Sequence, residues 1–162
     1  MIPSGTIFFV KQKILIVDGH SMIFRWPDLA ARHAAHPAAA REELVRRLTA
    51  LQDNSDYMVA VVFDGKGASP SNASDPRRIK VFYSKSGQTA DAIIERLAAK
   101  YASACDVTVA TDDHLERLTA ESFGATSISS DQLRSEIQAG EQSVRLAISQ
   151  LRKKSHPLPR EP

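Results

Sequence analysis

The chain has one cysteine, Cys105, in 162 residues. A lone thiol excludes an internal disulfide and any cysteine-rich zinc site. With no histidine or basic cluster beside it in sequence, Cys105 reads as a small buried hydrophobe rather than a nucleophile. Long apolar runs are missing too, since none approaches the ~18 residues of a membrane span. The segment Ile7 to Val10 is too short for a targeting signal, and Lys11 and Lys13 follow at once. These absences predict a cytoplasmic protein with no membrane partner. Phosphate loops are also lacking: the "GKG" at residues 65–67 has neither the glycine spacing nor the Lys-Ser/Thr pair of a Walker loop, and no GxGxxG follows the first apolar run. No nucleotide cofactor is expected, and no internal repeat is present.

What remains is the balance of a globular protein, 43% apolar and 25% charged, at the length of one ordinary domain. Four short β-branched runs stand out, Ile14 to Val17, Tyr57 to Phe63, Ile79 to Tyr83 and Val107 to Ala110, with a weaker fifth at Thr126 to Ile128. They are nearly continuous rather than alternating, which is the pattern of strands covered on both faces. Helical stripes lie between them. Residues 38–51 align Leu44, Val45, Leu48 and Leu51 behind Pro37, and residues 89–102 align Ala90, Ile93, Ile94, Leu97 and Tyr101. Residues 113–122 run to a stop at Gly124, and residues 131–153 carry Leu133, Ile137, Val144, Ile148 and Leu151. Alternating strand and helix predicts an α/β fold with a mostly parallel central sheet of about five strands and helices on both faces. The expected division is an N-terminal extension over 1–12, one domain over 13–154 and a flexible, basic, Pro-rich tail over 155–162. The segment 65–76, "GKGASPSNASDP", reads as the longest irregular loop.

Net charge of +2 is uninformative as a total, but the charges are unevenly placed. Residues 91–122 carry seven acids against three bases, and residues 141–162 carry five bases against two acids. In an open parallel sheet the functional crevice lies beyond the carboxyl ends of the strands. Here those ends are acidic: Asp18 follows "ILIV", Asp64 follows "VAVVF", and Asp112 and Asp113 follow "VTVAT". Asp91 falls in the first turn of "TADAIIERL", with Glu95 four residues on along the same face. Singly, each has a structural explanation, Asp91 through the helix dipole and Asp112 or Asp113 through capping. Together they bring four or five carboxylates to one sheet edge, where like charges repel. A hard divalent cation, Mg²⁺ or Mn²⁺, resolves that conflict with oxygen ligands. Such a centre clamps a phosphate oxygen and activates water, so the chemistry that fits is phosphodiester hydrolysis.

The stretches "ILIVDGHSMIFRWP", "VVFDGKG", "VFYSKSGQTADAIIERL" and "VTVATDDHLERLTAESFGA" resemble, in order and spacing, the YacP-like branch of the NYN domains within the PIN-like nuclease superfamily. The resemblance runs from about Ile14 to the final helix. It implies a three-layer α/β/α PIN-like fold and a metal-dependent endoribonuclease, with some relatives acting on messenger RNA during translation. RNA is then the expected partner, with the ribosome a second. Carried over by position, the metal and catalytic acids are Asp18, Asp64, Asp91 and Asp113, with Glu95 as a further ligand or orienter. Two departures stand out. Ser21 occupies the place where the family usually has Asn, keeping a short donor and acceptor but not the amide's two-ended geometry. Asp112 replaces a common Ser and offers an extra acid.

Ser21 is expected to hydrogen-bond the phosphate or a ligand water, and water rather than an enzyme side chain is the expected nucleophile. Arg25 and Trp26, just past the Asp18 loop, are candidates for substrate contact, although an indole more often packs over a helix. Arg77, Arg78, Lys80 and Lys85, with Arg152, Lys153 and Lys154, are candidates for phosphate positioning. A rival reading keeps the fold but only binds RNA, the ribosome or a protein, and the Ser21 departure is its support. A phosphatase of the aspartyl-phosphate type is disfavoured, because His20 stands where it needs a second acid.

Overall fold

β1 (Lys13–Asp18) is flanked on both sides, pairing in parallel with β2 (Tyr57–Phe63) and with β4 (Asp106–Ala110). β3 (Lys80–Tyr83) extends the sheet beyond β2, and β5 (Thr126–Ile128) extends it beyond β4. The order is β3-β2-β1-β4-β5 with every pair parallel. The computed structural model describes residues 10–65 and 78–155, so Arg77 and nearly all of the irregular loop expected over 65–76 lie outside the described residues.

Alternation along β1 explains the layers. Leu15 and Val17 point to one face and join Val59, Val61 and Phe63 in a core closed by α1 (Gly19–Arg25), α2 (Pro27–Ala35), α3 (Pro37–Asp53) and α6 (Ser130–Lys154). Ile16 points the other way and, with Val62, Val107 and Val109, packs under α4 (Ala90–Tyr101) and α5 (His114–Ser122). The molecule is therefore a three-layer α/β/α sandwich, and both faces of the sheet are apolar because both are covered. No helix among the described residues is long and apolar enough to cross a membrane.

All five strands form where the sequence places them, and four helices match its stripes within a few residues. The connection from β1 to β2 differs: it holds three helices rather than one. α1 has seven residues and α2 nine, too few for a clear 3.6-residue pattern. Pro27 and Pro37 each open a new helix, at a position where the missing N–H has no intrahelical partner to lose.

Strand order reverses at β1. Connections from β1 move outward through β2 to β3, then the chain returns to β4 on the opposite side of β1. The crevice between the carboxyl ends of β1 and β4 is thus the switch point, where α/β sheets hold their ligands.

Candidate functional site

Asp18 ends β1 and caps α1 in the same step. Its Oδ1 accepts from the backbone N–H of His20 at 3.1 Å and of Ser21 at 3.4 Å, satisfying helix-start donors. Its Oδ2 accepts from Ser21 Oγ at 2.8 Å and Thr111 Oγ1 at 3.1 Å. Four donors fix this carboxylate, which is only 5% exposed, across the β1–β4 switch point. Gly19 lets it sit there. A Cβ on Gly19 would overlap the Phe63 ring and lie 2.9 Å from the Val62 carbonyl oxygen, so close approach rather than an unusual φ requires glycine.

Two helix starts bring further acids to Asp18. α4 is capped by Thr89, whose Oγ1 accepts from Ala92 N, and this sets Asp91 in the first turn. α5 is capped by Asp113, whose Oδ1 accepts from Leu115 N and Glu116 N, and this sets Glu116 on the same turn. One carboxylate oxygen from each of Asp18, Asp91 and Glu116 lies within 4.8 Å of the other two. Asp91 is exposed and marks the open side of the pocket; Glu116 is its floor, 3% exposed. Neither Glu116 oxygen has a hydrogen-bond partner among the described residues. Its carboxyl is pushed up to about 10, by burial first, then by the charge of Asp18, by contact with and the charge of Asp91, and by Asp113.

A buried carboxyl with no donor among the described residues, facing the charge of Asp18, Asp91 and Asp113, is costly on its own. Three hard oxygen donors converging at this distance suit Mg²⁺ or Mn²⁺, and a divalent cation would supply the positive charge that the surrounding side chains do not. The residues present therefore fit such an ion.

The other sequence-derived acids have structural work. Asp64 Oδ1 accepts from Ala90 N at 3.0 Å and Ser84 Oγ at 3.3 Å, tying the end of β2 to the start of α4. Asp113 caps α5 and acts on the centre through its charge on Glu116. Asp112 turns away to the first turn of α6: its Oδ1 accepts from Ser130 N at 2.9 Å and its Oδ2 from Ser130 Oγ at 2.6 Å, with Arg25 Nε at 3.3 Å. The extra acid is thus a tether. Glu95, one turn beyond Asp91, is half-buried and is not among the three acids that converge.

Substrate-facing expectations change as well. The Ser21 hydroxyl donates to Asp18, accepts from Asp112 N at 3.1 Å and touches Thr111 Oγ1 at 3.4 Å, so it positions the acid rather than reaching for phosphate. Trp26 is 1% exposed, with its indole N–H donating to Ser130 O at 3.2 Å, and so offers no face to a substrate. Arg25 is 69% exposed beside Asp112. Lys85 is exposed and follows β3, on the acidic edge of the sheet. Lys80 opens β3 at the level of Ala60, two residues short of the Val62 level shared by Asp18, and Arg78 precedes it, so both lie toward the start of that strand rather than at its acidic end.

Glu116 and Thr111 are the residues that sequence reasoning missed. Glu116 stands three places after the cap Asp113, the spacing of a capping-box acid, which disguised it as local helix chemistry. Its place in the first turn after β4 was the available signal, because that turn opens on the switch point.

A parallel sheet in this order, with three carboxylates gathered at its switch point, has the layout of a nuclease-like α/β domain. The chain belongs to the YacP-like NYN domain family, whose model matches residues 15–161; NYN domains are PIN-like nucleases. It is 31% identical over 142 residues to a protein of Bacillus subtilis (strain 168) named as the uncharacterized protein YacP, covering 85% of this chain and 82% of that one. It also superposes on the crystal structure of Rae1 (YacP) from Bacillus subtilis, with a TM-score of 0.74, 30% identity and coverage of 87% and 82% of the two chains. A mutant form of that protein gives a TM-score of 0.76 at 29% identity, covering 90% and 86%.

Proposed function

We propose that this protein is a metal-dependent endoribonuclease that hydrolyses RNA phosphodiester bonds, with messenger RNA on the ribosome as the substrate the family suggests. The observation that carries the reading is Glu116, a buried carboxyl with no donor among the described residues, gathered with Asp18 and Asp91 at the switch point. Asp18, Asp91 and Glu116 would hold Mg²⁺ or Mn²⁺. When bound, such an ion polarises a phosphate oxygen and makes water a competent nucleophile near neutral pH.

The protein's own residues supply the frame. Ser21 and Thr111 hold Asp18 in one orientation through its Oδ2, and the His20 and Ser21 amides hold its Oδ1. Asp91 lies at the solvent side, where a phosphodiester enters. Arg25 and Lys85, exposed at the same edge, place positive charge where the flanking phosphates run.

The test is cleavage of a labelled RNA in Mn²⁺ by the wild type and by Asp18→Asn, Asp91→Asn and Glu116→Gln. Each substitution is expected to lower the rate at least about a hundredfold, because several kcal/mol of transition-state stabilisation pass through the ligand set. Cleavage that survives all three sinks the proposal. A non-catalytic RNA-binding module would instead bind RNA without cutting it and show no Mn²⁺ binding that depends on these acids.

A further inference from the structure

The outer rim of α1, the helix that starts at Asp18, is aromatic. α1 buries Met22 and Ile23 beneath it, while its outer side carries His20 and Phe24 one turn apart. The two rings lie 4.4 Å apart between centroids with a 40° tilt, and Phe24 meets His33 of α2 at 4.7 Å and 61°. His20 is exposed, Phe24 is 50% exposed and His33 is half-buried. The row starts two residues after Asp18, whose Oδ1 accepts from the backbone N–H of His20.

We propose that His20, Phe24 and His33 form a stacking platform for unpaired bases of a single-stranded RNA whose backbone enters the acidic pocket. The inference rests on the nuclease reading of that pocket and names the form of RNA it takes. Phe24 gains only part of the burial that a phenylalanine can gain in a core, and it has a ring on either side, His20 and His33. The result is a run of π-surface open to solvent. Arg25, the next residue in the chain, is 69% exposed even though its Nε pairs with Asp112 at 3.3 Å, so the helix also carries an accessible cation. Single-strand binders combine these two elements, aromatic faces for the bases and cations for the backbone. A duplex cannot use the platform, because its bases are already stacked on one another and unavailable to side chains. Stacking uses the face that every base has, so the platform is tolerant of sequence.

The experiment uses the full chain carrying Phe24→Trp. The one native tryptophan, Trp26, is buried, so the introduced indole reports on the rim. In Ca²⁺ at low ionic strength, a 12-nucleotide single-stranded RNA is titrated against an abasic strand of equal length and against a duplex of the same sequence. Saturable quenching is expected with the single strand, with at least about tenfold weaker binding of the duplex and no quenching by the abasic strand. With end-labelled strands read by fluorescence anisotropy, Phe24→Leu is expected to bind the single strand about tenfold more weakly than the wild type while leaving abasic binding unchanged. In Mn²⁺ its loss should fall on KM rather than kcat. Equal quenching by abasic and normal strands, or unchanged affinity in Phe24→Leu, overturns the platform. If the RNA quenches the indole but the wild type never cleaves it, the nuclease reading falls and the platform stands. Cleavage without quenching overturns the platform alone.

Discussion

Glu116→Gln should abolish the pH dependence that one buried carboxyl imposes on the metal-free protein. In the folded chain this group is raised from 4.5 to about 10, by burial first and then by Asp18, Asp91 and Asp113. The unfolded chain releases the proton near 4.5, whereas the folded chain keeps it. Because the folded value is the higher one, the contribution to stability is complete below pH 4.5 and drains away as pH rises toward 10. The slope is about 1.4 kcal/mol per pH unit, hence about 4 kcal/mol between pH 5 and pH 8. For a chain of this length that corresponds to about 10 °C in Tm. Glutamine has no proton to lose, so the variant lacks the slope. The assay is thermal unfolding in EDTA at pH 5, 6, 7 and 8 for both proteins, and the quantity read is the difference in Tm, which cancels groups titrating alike in both. The variant should gain about 10 °C on the wild type across that range. Saturating Mn²⁺ at pH 8 should then raise the wild type and leave the variant unmoved. A difference that stays flat with pH refutes the argument that burial among acids governs Glu116.

Three further substitutions test the frame around the pocket. Gly19→Ala drives a Cβ into the Phe63 ring and the Val62 carbonyl, and should cost about 1 to 3 kcal/mol in denaturant unfolding. Ser21→Ala removes the 2.8 Å bond to Asp18 and strands the Asp112 N–H, with an expected loss of about 1 to 3 kcal/mol and weaker Mn²⁺ binding by titration calorimetry. Asp112→Ala frees Ser130 at the start of α6; hydrogen exchange should speed up in the first turn of α6, while Mn²⁺ affinity stays within about threefold because Asp112 is outside the converging acids.

The layers were legible because their signal is apolar and repetitive. A strand such as β1, covered on both faces, has to read "ILIV", and a seventeen-residue helix such as α3 has room to show Leu44, Leu48 and Leu51 on one stripe. α1 escaped because its evidence is not periodic at all. It starts where the Asp18 side chain captures two amides and stops before Pro27, and both are local hydrogen-bonding facts.

The acids were legible as a group and ambiguous as individuals, and the ambiguity has a physical source. A carboxylate just past a strand in this fold also stands at the start of the next helix, where free N–H groups and the helix dipole favour an acid whatever the site does. Asp64 and Asp113 accept from such amides, and Asp112 does the same for α6. Asp18 caps α1 as well, but its second oxygen is held by two hydroxyls at the switch point, where a cap alone has no use for it. Glu116 shows the opposite pattern. It sits where a capping acid would, yet it is buried and neither oxygen has a hydrogen-bond donor among the described residues. Helix propensity does not require a carboxyl there, and an apolar residue of similar size would avoid the cost of desolvating one. The acid at position 116 therefore calls for a role outside the helix, and the groups it faces are Asp18 and Asp91.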